Sequence, residues 1–393
     1  MPSFVVKYAL VWLSVVHSAL AIGTAQGYGS KATGGGNATP QVPSSNQDLV
    51  NWLSDSTPRV IQLNSIYDFT TFYGTATSTA CNPWSCSPNP QSILNAIAGT
   101  CDGHTTRSVT INAAGSRTNL KVGSNKTLIG KGSNAGIKGI GLTLTGGVSN
   151  IIIQNIKITD INHQYVWGGD GILIAGASNV WIDHNYFNRP GRQFLTTGFD
   201  SANGVTISNN VFDGTATWST GCDGHHYWAI ILAGNGDKVT FMNNWIHTTA
   251  GRSPHSGGEA STDTLLYHFV NNYISDNTGH ALDMGQGTNM IAEGNYFENV
   301  VTPLIGIDAN AHLYFPTVVD DANQCANSGW GRYCEWNRIA GNSGTISSSL
   351  NIRDTRPFST ALNTDSAVKG LKPMPVADVP AFVQANAGVG KIN

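Results

Sequence analysis

The sequence predicts an all-β protein whose strands wind into a single-stranded, right-handed parallel β-helix. A short N-terminal helix would cap this β-helix, and an irregular C-terminal tail would follow it. An internal repeat and the composition carry the prediction: 45 glycines, and only 11% charged residues against about 25% in a typical soluble domain. A chain so poor in charge and so rich in glycine turns often, which excludes a helical bundle.

The internal repeat is a short β-rich segment that runs into an asparagine. Each copy alternates apolar and polar residues at period two, which is typical of a strand. One coil is too small to bury its own apolar face, so stacked coils must supply the core. Asparagine also tolerates the left-handed backbone of a sharp corner and can hydrogen-bond from coil to coil. The aligned asparagines of the six copies are Asn155, Asn185, Asn210, Asn244, Asn272 and Asn295.

The two ends of the repeat region look like caps. Ser45 precedes the apolar pattern of 49–53 and is a candidate N-cap, which predicts a short amphipathic helix over the open end of the β-helix. The stretch after Asp354 has no repeat and several prolines. We expect it to return along the outside of the coils.

The first 21 residues have the pattern of a secretory signal. Lys7 precedes an apolar run over 8–16, and small residues end at Ala21. The run is shorter than the ~20 residues of a membrane span. We therefore predict a secreted, extracellular protein in which residues 22–393 form one β-helix domain.

Cysteines and glycosylation motifs agree with secretion. Six cysteines, an even number, favour three disulfides in a secreted chain. Asn37 and Asn125 each begin an Asn-x-Thr motif and are predicted glycosylation sites. The net charge of −3 supplies no basic surface for nucleic acid. We expect a monomer with neither nucleic acid nor a membrane as partner.

Four polar segments lie just before or after the repeat strands, so they could meet on one side of the coils: residues 166–171, 189–193, 224–228 and 252–255. A wider set of motifs can be compared with known families; in chain order these are TGGG (33–36), WGGD (167–170), VWIDH (180–184), GRQ (191–193), CDGHHYW (222–228), GRSP (251–254) and AEGNYFENV (292–300). In these residues the chain resembles the pectin lyases of the pectate lyase superfamily (polysaccharide lyase family 1), of fungal or oomycete type. The resemblance spans roughly 24–340, and the GRQ and GHHYW motifs together favour pectin lyase over pectate lyase.

The resemblance implies β-elimination on methyl-esterified α-1,4-galacturonan (pectin), which gives 4,5-unsaturated oligogalacturonates. Arg252 matches the arginine that the family uses as base, although arginine is a weak base and more often binds a carboxylate or ester. Asp170 and Arg192 complete the predicted catalytic set. An ion pair with a purely structural role is the alternative for these two residues.

The same residues bear on the metal. Calcium would need several carboxylates, but this region offers Asp170 together with Arg189 and Arg192. We therefore expect neither a metal nor a cofactor, and a neutral, esterified substrate.

Four aromatic residues match cleft positions of the family and are predicted to bind substrate, because apolar faces of esterified sugars pack on aromatic rings. These are Trp84, Trp167, Tyr227 and Trp228. His255 stands where the family often has lysine, three residues after Arg252, and is a fifth candidate. The resemblance also implies the disulfides Cys81–Cys101, Cys86–Cys222 and Cys325–Cys334.

Two alternatives stay open at this point. A calcium-dependent pectate lyase would share the fold and prefer de-esterified substrate. A non-catalytic β-helix that binds polysaccharide would need only the repeat and the aromatic residues. It gives no reason for Asp170, Arg192 and Arg252 to occur together.

Overall fold

The chain winds into a parallel β-helix with three faces, in a computed structural model that describes residues 21–97, 99–117 and 119–392. Face A contains the strands Arg59–Leu63, Lys126–Gly130, Ser149–Gln154, Ala177–Asp183, Ala202–Ser208, Lys238–Met242, Leu265–Val270, Thr288–Glu293 and His312–Tyr314. Face B contains Ile66–Asp68, Gly136–Lys138, Lys157–Ile161, Tyr186–Pro190, Val211–Asp213, Trp245–Thr249 and Arg338–Ala340. Face C contains Leu120–Lys121, Leu142–Thr145, Ile172–Ala175, Leu195–Thr196, Ile230–Leu232 and His255–Ser256.

Two long strands, Tyr273–Met284 and Tyr296–Ile307, belong to both face B and face C. Their pairing shifts register between Asn277 and His280, which marks the bend between the faces. The predicted parallel β-helix is confirmed.

In-register stacking builds the core, as the repeat predicts. Ile153 pairs with Ile182, and Ile182 with Ile207. The rings of Phe212 and Phe241 stack with centroids 5.8 Å apart inside the coils. Burying each such side chain contributes about 1.5–3 kcal/mol, so neighbouring coils stabilise one another.

The predicted ladder of hydrogen-bonded asparagines is present, and its buried side chains follow the face A strands. The side-chain amide of Asn185 donates to Oδ1 of Asn210 over 3.0 Å, and the same bond continues along the coils. It ends one step beyond the predicted set, where Asn295 donates to Asn337 over 2.9 Å. Asn337 was not recognised in the sequence pattern.

The assignment of Asn155 to the ladder is wrong. Gln154 pairs with Asp183, so Ile156 occupies the ladder position of that coil. Its backbone N–H donates to Oδ1 of Asn185 over 3.0 Å. Asn155 is instead the corner residue of its coil, with left-handed backbone, and it comes directly before the ladder position. The corner residues of these coils have φ between 51° and 57° and are Asn155, His184, Asn209, Asn243 and Asn271.

The N-terminal cap is confirmed. The helix Asn46–Ser54 begins after Ser45, whose hydroxyl accepts the N–H of Asp48. Leu49 and Leu53 are fully buried against the core of the β-helix.

The prediction of an irregular tail is only partly right, because the tail contains short helices. Val379 and Val383, four residues apart on one helix face, pack on face B against Trp245 and Tyr273. Beyond Asn46–Ser54 the helical segments are Gly27–Lys31, Ala113–Arg117, Val319–Cys325, Ala326–Trp330, Arg356–Ser359, Ala361–Thr364, Ser366–Lys369, Val376–Asp378 and Val379–Asn386.

A small second sheet packs beside the coils. It contains Thr75–Cys81, Ser92–Leu94, Thr106–Asn112 and Tyr165–Val166. The disulfide Cys81–Cys101 joins the end of the strand Thr75–Cys81 to the loop before Thr106–Asn112. The disulfide Cys86–Cys222 joins this sheet to a loop of the β-helix. With Cys325–Cys334, the implied disulfide pairing is confirmed.

The predicted signal segment falls almost wholly on residues 1–20, outside the described residues, so the domain boundary at residue 22 stays a prediction. Among the described residues, no helix is long and apolar enough to cross a bilayer. Asn37 is exposed. The side chain of Asn125 accepts a hydrogen bond from Asn150 over 2.8 Å. Glycosylation stays a prediction at both sites.

Candidate active site

Four of the polar motifs, WGGD, GRQ, CDGHHYW and GRSP, meet at one corner of the coils, where face B passes into face C. VWIDH lies in a face A strand instead, and Gly35 of TGGG bonds to Thr127 of face A. Four successive connections from B to C carry the four motifs that meet: residues 162–171, 191–194, 214–229 and 250–254. In the fifth coil the bend of the strand Tyr273–Met284 takes the place of such a connection. Because parallel coils repeat their corners in register, these connections line one lateral groove.

Arg252 lies on the fourth connection with left-handed backbone, φ 51°. Its guanidinium carbon is 4.8 Å from the Trp228 ring centroid and 5.8 Å from that of Tyr227. Gly251 makes this approach possible, since a Cβ there would lie 2.7 Å from the Tyr227 ring. Among the described residues no carboxylate pairs with Arg252, and its buried Nη1 has no hydrogen-bond partner. Burial lowers the pKa of Arg252, while Tyr227 and Asp283 oppose that shift.

Arg192 lies on the second connection, two coils before Arg252, over the Trp167 ring with its guanidinium carbon 3.8 Å from the centroid. Burial lowers the pKa of Arg192; Asp170 opposes this and Arg252 adds to it. Gln193, with its amide oriented to satisfy both neighbours, accepts from Nε of Arg192 over 3.2 Å and donates to the Trp228 carbonyl over 3.0 Å. This residue therefore couples the two connections.

Asp170 accepts the backbone N–H of Gln193 over 2.8 Å. Burial raises the pKa of Asp170 more than this bond and the charge of Arg192 lower it. Asp170 and Arg192 make no direct ion-pair contact, so the structural ion pair considered for them is wrong. The nearby Arg189 is paired elsewhere, with Asp160 over 2.6 Å.

The predicted aromatic residues form one wall. Trp84 reaches the groove from the second sheet, with ring centroids 6.4 Å from Trp228. Tyr227 stands edge-on to Trp228 at 4.9 Å. The disulfide Cys86–Cys222 fixes this wall because it joins the Trp84 loop to the connection that carries Tyr227 and Trp228.

His255 is half-buried at the start of face C, and its Nδ1 lies 2.6 Å from Oδ2 of Asp283. This hydrogen bond is the main reason why the pKa of Asp283 is lowered. The structure thus brings all eight predicted site residues to one groove, while their roles stay predictions.

Three further residues shape the groove and were not predicted. His226, fully buried, has Nε2 2.6 Å from the carbonyl oxygen of Arg192, and burial lowers the pKa of His226 to about 4. The ring is therefore neutral near pH 7 and donates to that carbonyl. The histidine pair in CDGHHYW was the available signal. Asp283 and His280 have no local signal, because only the bend of their strand brings them to Arg252.

The donor set does not fit calcium. Among the described residues no group of three or more His, Cys, Asp or Glu side chains could hold a metal ion. The charge that acts on the pKa of Asp170 is the guanidinium of Arg192, whereas Ca²⁺ takes six to eight oxygens, several of them from carboxylates.

These features define the class, a polysaccharide lyase built on a parallel β-helix, and comparison with known proteins gives the family. The pectate lyase family model matches residues 5–391. The chain is 45% identical over 374 residues to probable pectin lyase F-1 of Aspergillus terreus, covering 94% of both. It is 43% identical over 387 residues to probable pectin lyase E of Aspergillus fumigatus, covering 97% of this chain and 98% of that one. The chain belongs to the pectate lyase family.

Solved structures support the fold. A pectate lyase bound to hexasaccharide superposes with TM-score 0.57 at 18% identity, covering 95% of this chain and 98% of that one. A thermostable pectate lyase, PL 47, gives 0.53 at 19% identity, covering 94% and 97%. At these identities the likeness concerns the fold alone.

Proposed function

We propose that this protein is a secreted pectin lyase that cleaves methyl-esterified α-1,4-galacturonan by β-elimination. The observation that carries the proposal is a pair of arginines, Arg192 and Arg252, held on aromatic rings in one groove and paired with no carboxylate of the part of the chain that the structure describes. Their positive charges are therefore available to interact with the substrate. The relatives named probable pectin lyase support the same substrate class.

In the proposed reaction the C5–H bond of a galacturonyl unit breaks, and its electrons form the C4–C5 double bond. The C4–O bond breaks, its electrons stay on the glycosidic oxygen, and that oxygen takes up a proton. No water is consumed. Negative charge develops on the ester carbonyl oxygen, so a fixed cation beside it lowers the barrier.

The reaction requires a base at C5 and a cation beside the ester carbonyl oxygen, and we assign one arginine to each role. Arg252 is the proposed base at C5; its lowered pKa, which burial causes, is the direction that a base requires. Arg192 is the proposed stabiliser of the developing charge, because the Trp167 ring holds it without neutralising it. Asp170 fixes the backbone of the connection next to Arg192.

Methyl esterification suits this groove better than free uronate does. A free carboxylate would place a second negative charge beside C5 in the transition state. The described residues of the groove include no group of carboxylates that would hold a bridging calcium ion. An ester is neutral and makes the C5 proton more acidic. Its methyl group can pack on the rings of Trp84, Tyr227 and Trp228.

The substrate is tested by ultraviolet absorbance of the unsaturated product, on highly methylated pectin and on polygalacturonate, each with and without EDTA. We expect signal on pectin that EDTA does not change. Signal on polygalacturonate alone, abolished by EDTA, would identify a calcium-dependent pectate lyase and overturn the proposal.

A further inference from the structure

His280 contacts both the backbone of Arg252 and the aromatic ring beside its guanidinium. Nε2 of His280 accepts the backbone N–H of Arg252 over 3.3 Å. The ring of His280 stands edge-on to Tyr227 with centroids 5.7 Å apart. The residue is only 9% exposed, so these contacts are largely shielded from solvent.

Arg252 needs such support because its backbone is strained. A residue other than glycine in the left-handed region persists only where its surroundings over-determine the conformation. The carbonyl of Arg252 is held by the N–H of Ile230 over 2.8 Å, and the next N–H by Ala281 over 2.9 Å. His280 supplies the remaining bond, to the N–H of Arg252 itself.

We propose that His280 is a positioning residue, which holds Arg252 and Tyr227 in their reactive geometry only while its ring is neutral. Nε2 can accept a hydrogen bond only when it carries no proton. Protonation would remove the acceptor, free the strained backbone of Arg252 and add a second positive charge beside its guanidinium. This inference rests on the proposed function.

The charges around His280 agree with a neutral ring. The charged or titratable groups that face it are Arg252 from the preceding coil, His255 at the start of face C, Asp283 on its own strand and Tyr227 across the groove. Burial lowers the pKa of His280; Asp283 opposes this, and Arg252 and His255 reinforce it. Activity is therefore lost as the pH falls through the pKa of His280. Protonation of His280 thus causes the fall in activity on the acid side of the pH profile.

Two variants separate positioning from packing. His280→Gln keeps an acceptor oxygen at similar reach but does not titrate, whereas His280→Leu keeps the bulk without an acceptor. For His280→Leu we expect kcat on methylated pectin to fall about tenfold or more with little change in KM, as loss of an orienting hydrogen bond predicts. His280→Gln should keep kcat within a few fold and lose the acid limb. Matched substitutions at the exposed His104 should change neither quantity.

A second readout does not need activity. Residue-resolved hydrogen exchange at the Arg252 amide should show protection in the wild type and in His280→Gln, and fast exchange in His280→Leu. If the wild type does not act on pectin, the proposed function fails, while the exchange rates still decide whether His280 holds Arg252. An unchanged acid limb in His280→Gln, or equal exchange in both variants, would overturn the inference.

Discussion

Arg192 stacks on Trp167, with the guanidinium carbon 3.8 Å from the ring centroid, and this contact holds a cation without cancelling its charge. A carboxylate in the same place would form a bidentate pair and leave little field for a substrate. The aromatic surface fixes the position of Arg192 while the charge stays effective in a half-buried groove. Arg252 repeats the arrangement two coils further on, over Trp228.

The first prediction concerns Arg252. Replacing it by methionine removes the charge and keeps most of the volume. We expect kcat to fall by about 10²–10³, the usual loss when a transition-state stabiliser is removed, with thermal stability retained. Arg189→Met is the matched control: Arg189 is already paired with Asp160, and its variant should keep activity within a few fold. Equal losses in the two variants would show that Arg252 has no special role.

The second prediction concerns Trp167. Trp167→Leu removes the ring under Arg192, and cation–π contacts contribute about 0.5–2 kcal/mol. Because Trp167 holds the proposed stabiliser of the developing charge, kcat/KM for methylated pectin should fall by a corresponding few-fold to about 30-fold. Trp167→Phe, which keeps an aromatic face, should lie between the wild type and Trp167→Leu. Identical kinetics for the two variants would mean that the ring fills space only.

The third prediction concerns His255, which is paired with Asp283 over 2.6 Å. If this position serves as a cation, a side chain that carries its charge over a wider pH range should widen the active range. Lysine stays protonated to higher pH, so His255→Lys should extend activity toward alkaline pH. The check is a pair of pH–rate profiles from one substrate preparation. Profiles that superimpose would make His255 a spectator.

The fourth prediction concerns acid stability. Burial alone would raise the pKa of Glu293, but hydrogen bonds from Arg332 and His268 outweigh it and lower the pKa from 4.5 to about 2. Because the folded pKa lies below the unfolded one, this stabilisation is present above pH 4.5 and is lost as the pH falls toward 2. Its size is on the order of 3 kcal/mol.

Thermal unfolding between neutral pH and pH 3 checks this. The wild type should lose stability over that range. Glu293→Gln should begin less stable and lose less on acidification, while the exposed Glu259→Gln should follow the wild type. Parallel curves for all three proteins would contradict the assignment to Glu293.

The coil architecture was readable from the sequence because its signal is local and repeated. The error at Asn155 has a physical origin. In three coils the corner and the ladder positions are both asparagine, as in Asn209–Asn210 and Asn243–Asn244. The coil of Asn155 has a single asparagine, and the alignment could not tell which of the two positions it fills. Only the strand register, which pairs Gln154 with Asp183, decides.

The sequence predicted those site residues that stand in recognisable motifs. Arg192 and Arg252 stand in recognisable motifs beside strands, so their meeting at one corner follows from stacking. His280 could not be found this way, because its contact with Arg252 depends on a bend within one long strand. Asn337 was missed for a related reason: a long loop with a disulfide precedes it, and no β-rich run marks its coil.

The most direct test of elimination is to digest methylated pectin with the wild-type protein in water enriched in heavy oxygen and to weigh the products. We expect unsaturated products that absorb in the ultraviolet and carry no heavy oxygen, since elimination consumes no water. Saturated products with one heavy oxygen at each new reducing end would mean hydrolysis, and would contradict the roles proposed for Arg192 and Arg252.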